Sequence, residues 1–258
     1  VVLAADVMFV NGLPFFVTLS RGIKLLTTEF LPSRTANQRH DSLQTVARLY
    51  RRGGFLVKMC LMDMEFKPLE DVSKDVPINT TAAREHVTDV ERSIRVIKDH
   101  CRSVISEVPY KHCMPDVFIV FLLRFVVMWL NAFPSGSGVS TEFSPREIVS
   151  GLRMDYRKHC RVRWGAYVEA SQDPDITNMM NDRTVLCIAL GLTGNVQGSV
   201  SCYNLQTKQV VTRRFIQPLP MPDRVIRRVV KLGKTCKQNC VSQRIQFLNR
   251  FKQQFSWG

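Results

Sequence analysis

Apolar residues fill positions 2–10 except at Asp6, and a run of that kind with no helical stripe reads as a strand buried on both faces. Gly12-Leu13-Pro14 separates it from Phe15-Phe16-Val17-Thr18-Leu19-Ser20, and Ser20-Arg21-Gly22 turns that run into Lys24-Leu25-Leu26-Thr27-Thr28-Glu29-Phe30. Three short strands in succession predict an antiparallel meander. Leu43, Val46, Ala47 and Tyr50 then make one apolar face of a helix that stops at Gly53-Gly54. The next apolar run, 55–62, ends at Asp63. A strand reached through a helical crossover is expected to pair parallel to the first, which would bring the ends carrying Asp6 and Asp63 together. Residues 67–77 are charged, rich in turn formers and without period, and read as a mobile loop.

Helical spacing returns with Val87, Val90, Ile94, Ile97, Cys101 and Val104. Glu91, Arg95, Lys98 and Arg102 line the face beside that stripe, so Glu91 borders the core next to a basic ridge. A further helix is predicted over 114–131, and Ser144-Pro145-Arg146-Glu147 reads as a capping box opening a short helix to Gly151. After Lys158 the pattern changes to short strands at 163–168, 186–190, 200–205 and 209–215, which suggest a small β-barrel. Beyond Pro218-Leu219-Pro220-Met221-Pro222 the chain reads as a basic tail. The expected division is an α/β domain over 1–152, the barrel over 153–220, and a tail or linker over 221–258.

Composition narrows the function classes. With 258 residues and 45% hydrophobic content the chain can bury a real core, which excludes disorder throughout. The net charge of +14 points to a polyanionic partner. It is unevenly placed, because residues 201–258 hold twelve Lys or Arg against Asp223 alone. The longest apolar stretch, 117–130, contains Arg124 and is too short for a span of about 20 residues, so no membrane partner is expected. No basic segment precedes the first strand, so no export signal is expected, and the chain reads as a piece of something longer. The cysteines fall mostly in predicted strands and stripes and are expected to be reduced. Neither Cys236 with Cys240, nor His100-Cys101 with His112-Cys113, has the paired spacing of a zinc site, and no zinc is expected.

Three acids stand out against this pattern. Asp6 lies inside a buried strand, where a carboxylate is costly unless a cation compensates it. Asp63 stands at the end of a second apolar strand, although an aspartate there would also serve as a turn cap. Glu91 lies on a helix bordering the core, although Arg95 four residues on would equally make a solvated ion pair. Glu65, two residues from Asp63, and His86, five before Glu91, are candidates for a supporting role.

The motifs carrying these acids resemble, over nearly the whole chain, the integrases of copia-type retrotransposons, within the wider group of retroviral integrases and Asp-Asp-Glu transposases. Ala4-Ala5-Asp6-Val7 with Phe16-Val17-Thr18-Leu19-Ser20-Arg21 resembles the first-aspartate strand and the strand ending in Ser-Arg. Met62-Asp63-Met64-Glu65-Phe66 resembles a shortened second-aspartate motif, and the stretch from Glu85 to Arg95 resembles the helix with the catalytic glutamate. Trp129-Leu130-Asn131 and Ser144-Pro145-Arg146-Glu147 through Gly151 resemble segments that close such cores. Tyr156-Arg157-Lys158-His159 through Val168, Tyr203-Asn204-Leu205 and Val211-Thr212-Arg213-Arg214 resemble the SH3-like barrel that follows them. The interval from Asp63 to Glu91 is shorter than usual in the family, and the family's upstream His-His-Cys-Cys zinc module is absent from this sequence.

The resemblance implies an RNase H-like α/β core with a mixed five-stranded sheet and flanking helices, plus an SH3-like barrel, in a fragment of a polyprotein. It implies a polynucleotidyl transferase that trims element 3′ ends and joins them to target DNA. Asp6, Asp63 and Glu91 would be both catalytic residues and ligands of two Mg²⁺ or Mn²⁺ ions. Arg92, Arg95 and Lys98 on the glutamate helix, Arg213 and Arg214 in the barrel, and Arg227 and Arg228 beyond it would contact double-stranded DNA. A homo-oligomer acting in the nucleus, with particle assembly in the cytoplasm, would follow. Two alternatives stay open: an inactive remnant serving as a DNA-binding scaffold, and a generic RNase H-like metal nuclease.

Overall fold

The computed structural model describes residues 1–80, 88–172 and 182–236. Two compact units emerge. Among the described residues the first draws on Val1–His100 and Val126–Arg153, the second on Cys101–Phe125 and the stretch from Met154 to Cys236. Residues 101–125 thus belong with the second unit, and the division does not fall at one point of the chain.

The first unit is built on a mixed sheet. Strands β1 (Val2–Val10), β2 (Leu13–Ser20) and β3 (Leu26–Phe30) form the antiparallel meander that the sequence predicts. Asn11 and Gly12 make the first turn with φ of 51° and 81°, the positive pair that a two-residue hairpin of matching twist requires. Helix α1 (Ala36–Arg52) is capped by Thr35, whose side chain accepts from the Gln38 N–H. It crosses over to β4 (Met59–Met62), which pairs parallel to β1. A 3-10 turn (Met64–Phe66) and α2 (Lys67–Glu70) follow, and β5 (Ile78–Thr80) pairs parallel to β4. The order is β3-β2-β1-β4-β5, and with flanking helices it fits an RNase H-like α/β fold.

The stretch expected to be a mobile loop, 67–77, is packed instead. Leu69 and Val76 are buried, the Ser73 hydroxyl donates to the Val76 carbonyl at 3.0 Å, and the Thr80 hydroxyl donates to the Glu70 carboxylate at 2.8 Å. Elements of four and three residues are too short to leave a period, which is why the sequence reads as loop.

One face of the sheet packs on α1. Leu3 and Ala5 of β1, Phe16 of β2 and Cys60 and Met62 of β4 share a core with Leu43, Val46, Ala47 and Tyr50. Helices α3 (Thr88–Ser106), α4 (Asp116–Leu130) and α5 (Pro145–Ser150) complete the first half of the chain. The capping box at α5 is present, with Ser144 and Glu147 each accepting from the other's backbone N–H. Where α1 ends, a Cβ on Gly53 would collide with the Val149 carbonyl of α5, so only glycine lets the two helices meet there. Asn131 binds the edge of the sheet: its amide accepts from the Leu26 N–H at 2.8 Å and donates to the Leu26 carbonyl at 2.7 Å.

In the second unit, α6 (Tyr156–His159) leads into β6 (Tyr167–Ser171), β7 (Thr184–Leu192), β8 (Val200–Asn204), β9 (Val210–Arg213) and β10 (Ile216–Pro218). The sheet is antiparallel, in the order β10-β6-β7-β8-β9. Its two edge strands are joined by Arg214 and Phe215 alone. Laid flat, five strands would hold their edges roughly 19 Å apart, but three residue steps reach only about 11 Å. The sheet must therefore curl on itself, and the register shift between Ala189 and Gly191 supplies a bend.

The segment expected to be a tail or linker contains a regular helix, α7 (Asp223–Thr235). Val225, Val229 and Leu232 are buried along one side of it, and that apolar side is what a tail would lack. Cys60, Cys101, Cys160, Cys187, Cys202 and Cys236 carry free thiols, whereas Cys113 is disulfide-bonded, against the expectation of reduced cysteines. Among the described residues no helix is long and apolar enough to cross a membrane.

Candidate active site

The crossover that makes β4 parallel to β1 also sets the site. Val2 is opposite Met59, Leu3 opposite Cys60 and Ala4 opposite Leu61. Carried two steps further, this register puts Asp63 level with Asp6. Strand alternation decides the faces: Leu3 and Cys60 point into the α1 core, so Ala4, Asp6, Leu61 and Asp63 belong to the opposite face. Asp63 keeps extended backbone (φ −69°, ψ 161°), so the alternation still holds there. Its carboxylate makes no capping hydrogen bond to the 3-10 turn that follows, which removes the turn-cap explanation for an aspartate at this position.

Asp6 records its surroundings in its proton affinity. Its carboxyl is raised from 3.8 to about 6, first by burial; the Val7 N–H, donating to Oδ1 at 2.7 Å, pulls the other way, and the charges of Asp63, Glu91 and Glu65 push it up further. Glu91, half-buried in the first turn of α3, is thus one of three acids close enough to act on Asp6. Among the described residues no group of three His, Cys, Asp or Glu side chains is gathered as a ready metal cage. The acids are near enough to repel, and their hard oxygen atoms suit a divalent cation by chemistry.

Two arginines tie down the segments that carry these acids. Glu65 is paired with Arg39 of α1, Nη2 to Oε1 at 2.7 Å, which makes it a counter-ion more than a candidate ligand. Arg21, from the Ser-Arg pair at the end of β2, meets Asp89 at 3.0 Å, two residues before Glu91. Neither pairing is foreseen in the sequence reading. A signal for Arg39 exists, since it stands four residues before Leu43, on the apolar stripe of its helix. His86 lies outside the described residues.

The basic candidates divide. Arg92 and Arg95 are exposed on α3. Lys98 is only 3% exposed, so it does not belong to a phosphate-facing ridge. It follows Ile97 directly and Ile94 by one turn, which places it on the edge of the buried stripe rather than beside it. In the second unit Arg213 is half-buried, with Nη1 donating to the Thr212 carbonyl at 2.9 Å, and Arg214 is exposed, its guanidinium 5.4 Å from the Phe215 ring. Arg227 and Arg228 are exposed on α7, where Arg228 also donates to the Leu205 carbonyl at 3.3 Å. Arg224, Lys231 and Lys234 are exposed too, and the five cations recur at helical spacing on the side away from Val225, Val229 and Leu232.

No protein family and no curated protein matches this chain in sequence. Among solved structures, the catalytic core domain of BIV integrase is similar over 57% of this chain and 92% of that one, with 16% identity and a TM-score of 0.42.

Proposed function

We propose that this chain is the catalytic core and following DNA-binding domain of a retroelement integrase, a metal-dependent polynucleotidyl transferase acting on double-stranded DNA. The observation that carries the reading is the raised Asp6 carboxyl on the central strand, with Asp63 level with it and the charges of Asp63 and Glu91 acting on it. Like charges crowded at one half-buried place call for a cation, and the order of motifs along the chain supports the same conclusion.

Asp6, Asp63 and Glu91 would hold two Mg²⁺ or Mn²⁺ ions, which when bound stabilise the charge on the attacking and leaving oxygens of a phosphodiester. The attacking oxygen would come from water in end trimming and from a DNA 3′ hydroxyl in joining. Asp6, held by β1 between two paired strands, supplies the rigid part of the site. Arg92 and Arg95 on α3, and the cations of α7, would contact phosphates. The curled sheet of the second unit would be the SH3-like barrel of the family that the motifs resemble.

The test is plasmid nicking and the joining of a labelled duplex oligonucleotide, with Mg²⁺ or Mn²⁺, by the wild-type chain and by Asp6→Asn. The reading expects metal-dependent product that Asp6→Asn abolishes. A second reading, an inactive DNA-binding scaffold, is favoured by the exposed cations of α7, which suit binding to a polyanion without any chemistry. It takes over if the wild-type chain binds DNA but gives no product with either metal.

A further inference from the structure

Arg39 occupies a place where arginine is costly. It lies on the buried side of α1 with Ser42, Leu43 and Val46, and is 8% exposed. A guanidinium so enclosed needs specific partners for its charge and its donors; both terminal nitrogens of Arg39 have them, whereas its buried Nε finds none among the described residues. All described partners of its side chain belong to one short segment. Nη1 donates to the Glu65 carbonyl at 3.1 Å and Nη2 to Glu65 Oε1 at 2.7 Å, while the guanidinium carbon lies over the Phe66 ring, 4.7 Å from its centroid. Glu65 and Phe66 belong to the 3-10 turn that starts from Asp63, and the turn is closed by the Phe66 N–H donating to the Asp63 carbonyl at 3.0 Å. Phe66 is itself buried in the α1 core, against Phe16 of β2. One side chain therefore grips the backbone, the carboxylate and the ring of the two residues that fix the chain just past Asp63.

We propose that Arg39 is the positioning residue of the Asp63 carboxylate, a clamp from α1 that holds the turn after β4 so that Asp63 stays on the Asp6 face of the sheet. The proposal rests on the reading of Asp63 as a site carboxylate. It assigns Glu65 the role of counter-ion within the clamp, not that of a cation ligand. Lysine would keep the charge but lose the two-pronged donation and the guanidinium's contact with the Phe66 ring, so Arg39→Lys is not conservative here.

The experiment compares wild type, Arg39→Lys, Arg39→Gln and Glu65→Gln in the full chain, by amide hydrogen exchange and by titration with Mn²⁺ followed by electron paramagnetic resonance. In both Arg39 variants the Phe66 amide should exchange about tenfold faster, while the amides of Leu43 and Val46 keep their protection. Mn²⁺ affinity should fall about tenfold, as when the outer support of a ligand is removed. Glu65→Gln, which keeps the carbonyl, one acceptor oxygen and the ring contact, should lose less than Arg39→Gln. Unchanged exchange at Phe66, or faster exchange spread equally over α1, overturns the clamp and leaves Arg39 an ordinary core residue. Unchanged Mn²⁺ affinity in a chain whose Phe66 amide has loosened overturns the positioning role. A wild-type chain that binds no Mn²⁺ sinks the functional reading, and exchange at Phe66 still decides whether Arg39 holds the turn.

Discussion

Asp6 is the residue at which fold and function pull against each other. Its carboxyl titrates at about 6, against 3.8 for an ordinary aspartate, so the folded chain binds that proton more tightly than the unfolded one. Stability from this group is therefore highest below pH 4, falls as the pH rises to 6, and is lost above it. Linkage puts the whole penalty at about 3 kcal/mol. Asp6→Asn removes the ionisation without changing the shape of the side chain. Thermal melts without metal should accordingly show the variant more stable than wild type by roughly 5 °C at pH 7.5, with the difference gone at pH 4. A variant that melts lower at pH 7.5 would mean that charge crowding does not govern Asp6. A divalent cation held by the same acids should stabilise the folded state, so millimolar Mg²⁺ should raise the wild-type melting temperature and leave that of Asp6→Asn in place.

Helices and strands account for the next set of consequences. The capping box at α5 is one of the features plainest in the sequence, because a cap is a local arrangement of four residues. Ser144→Ala should cost about 1 kcal/mol in urea denaturation, since it leaves the Glu147 N–H without its acceptor. Gly53→Ala should cost more, roughly 2 kcal/mol or above, because the new Cβ meets the Val149 carbonyl and either α1 or α5 must shift. Equal stability of Gly53→Ala and wild type would mean that the helices are free to part. The sequence foretells α5 but says nothing of its contact with α1. The same limit explains Lys98 and residues 67–77. A helical wheel locates a stripe without giving its width, and short elements owe their conformation to the sheet they join.

For the molecule as a whole, the charge of +14 sets the behaviour with polyanions. Helix α7 presents Arg224, Arg227, Arg228, Lys231 and Lys234 on its exposed side, and contact with DNA phosphates through them would displace counterions. Replacing Arg224, Arg227, Lys231 and Lys234 together by Gln should weaken binding to duplexes of any sequence. It should also flatten the plot of log affinity against log salt by about 3 to 4. An unchanged slope would exclude these four cations as phosphate contacts and leave Arg92, Arg95, Arg214 and Arg228 to provide them. The apolar residues on the other side of the helix are untouched in this variant, so the unit should remain folded, which circular dichroism would verify.

The sequence by itself determined the meander, α1, the Asp63 strand, the α3 stripe and the strand-rich second half, because each is written in the spacing of neighbouring apolar residues. It also marked Asp6, since an acid inside an apolar strand is anomalous wherever that strand lies. Tertiary structure alone decided that Asp63 stands level with Asp6, that Arg39 grips Glu65 and Phe66, that Lys98 is buried, that the second sheet curls and that α7 has a buried side. Register, ion pairing and burial depend on which distant segments meet, and hydrophobic spacing along a chain carries information about each segment but not about its partners.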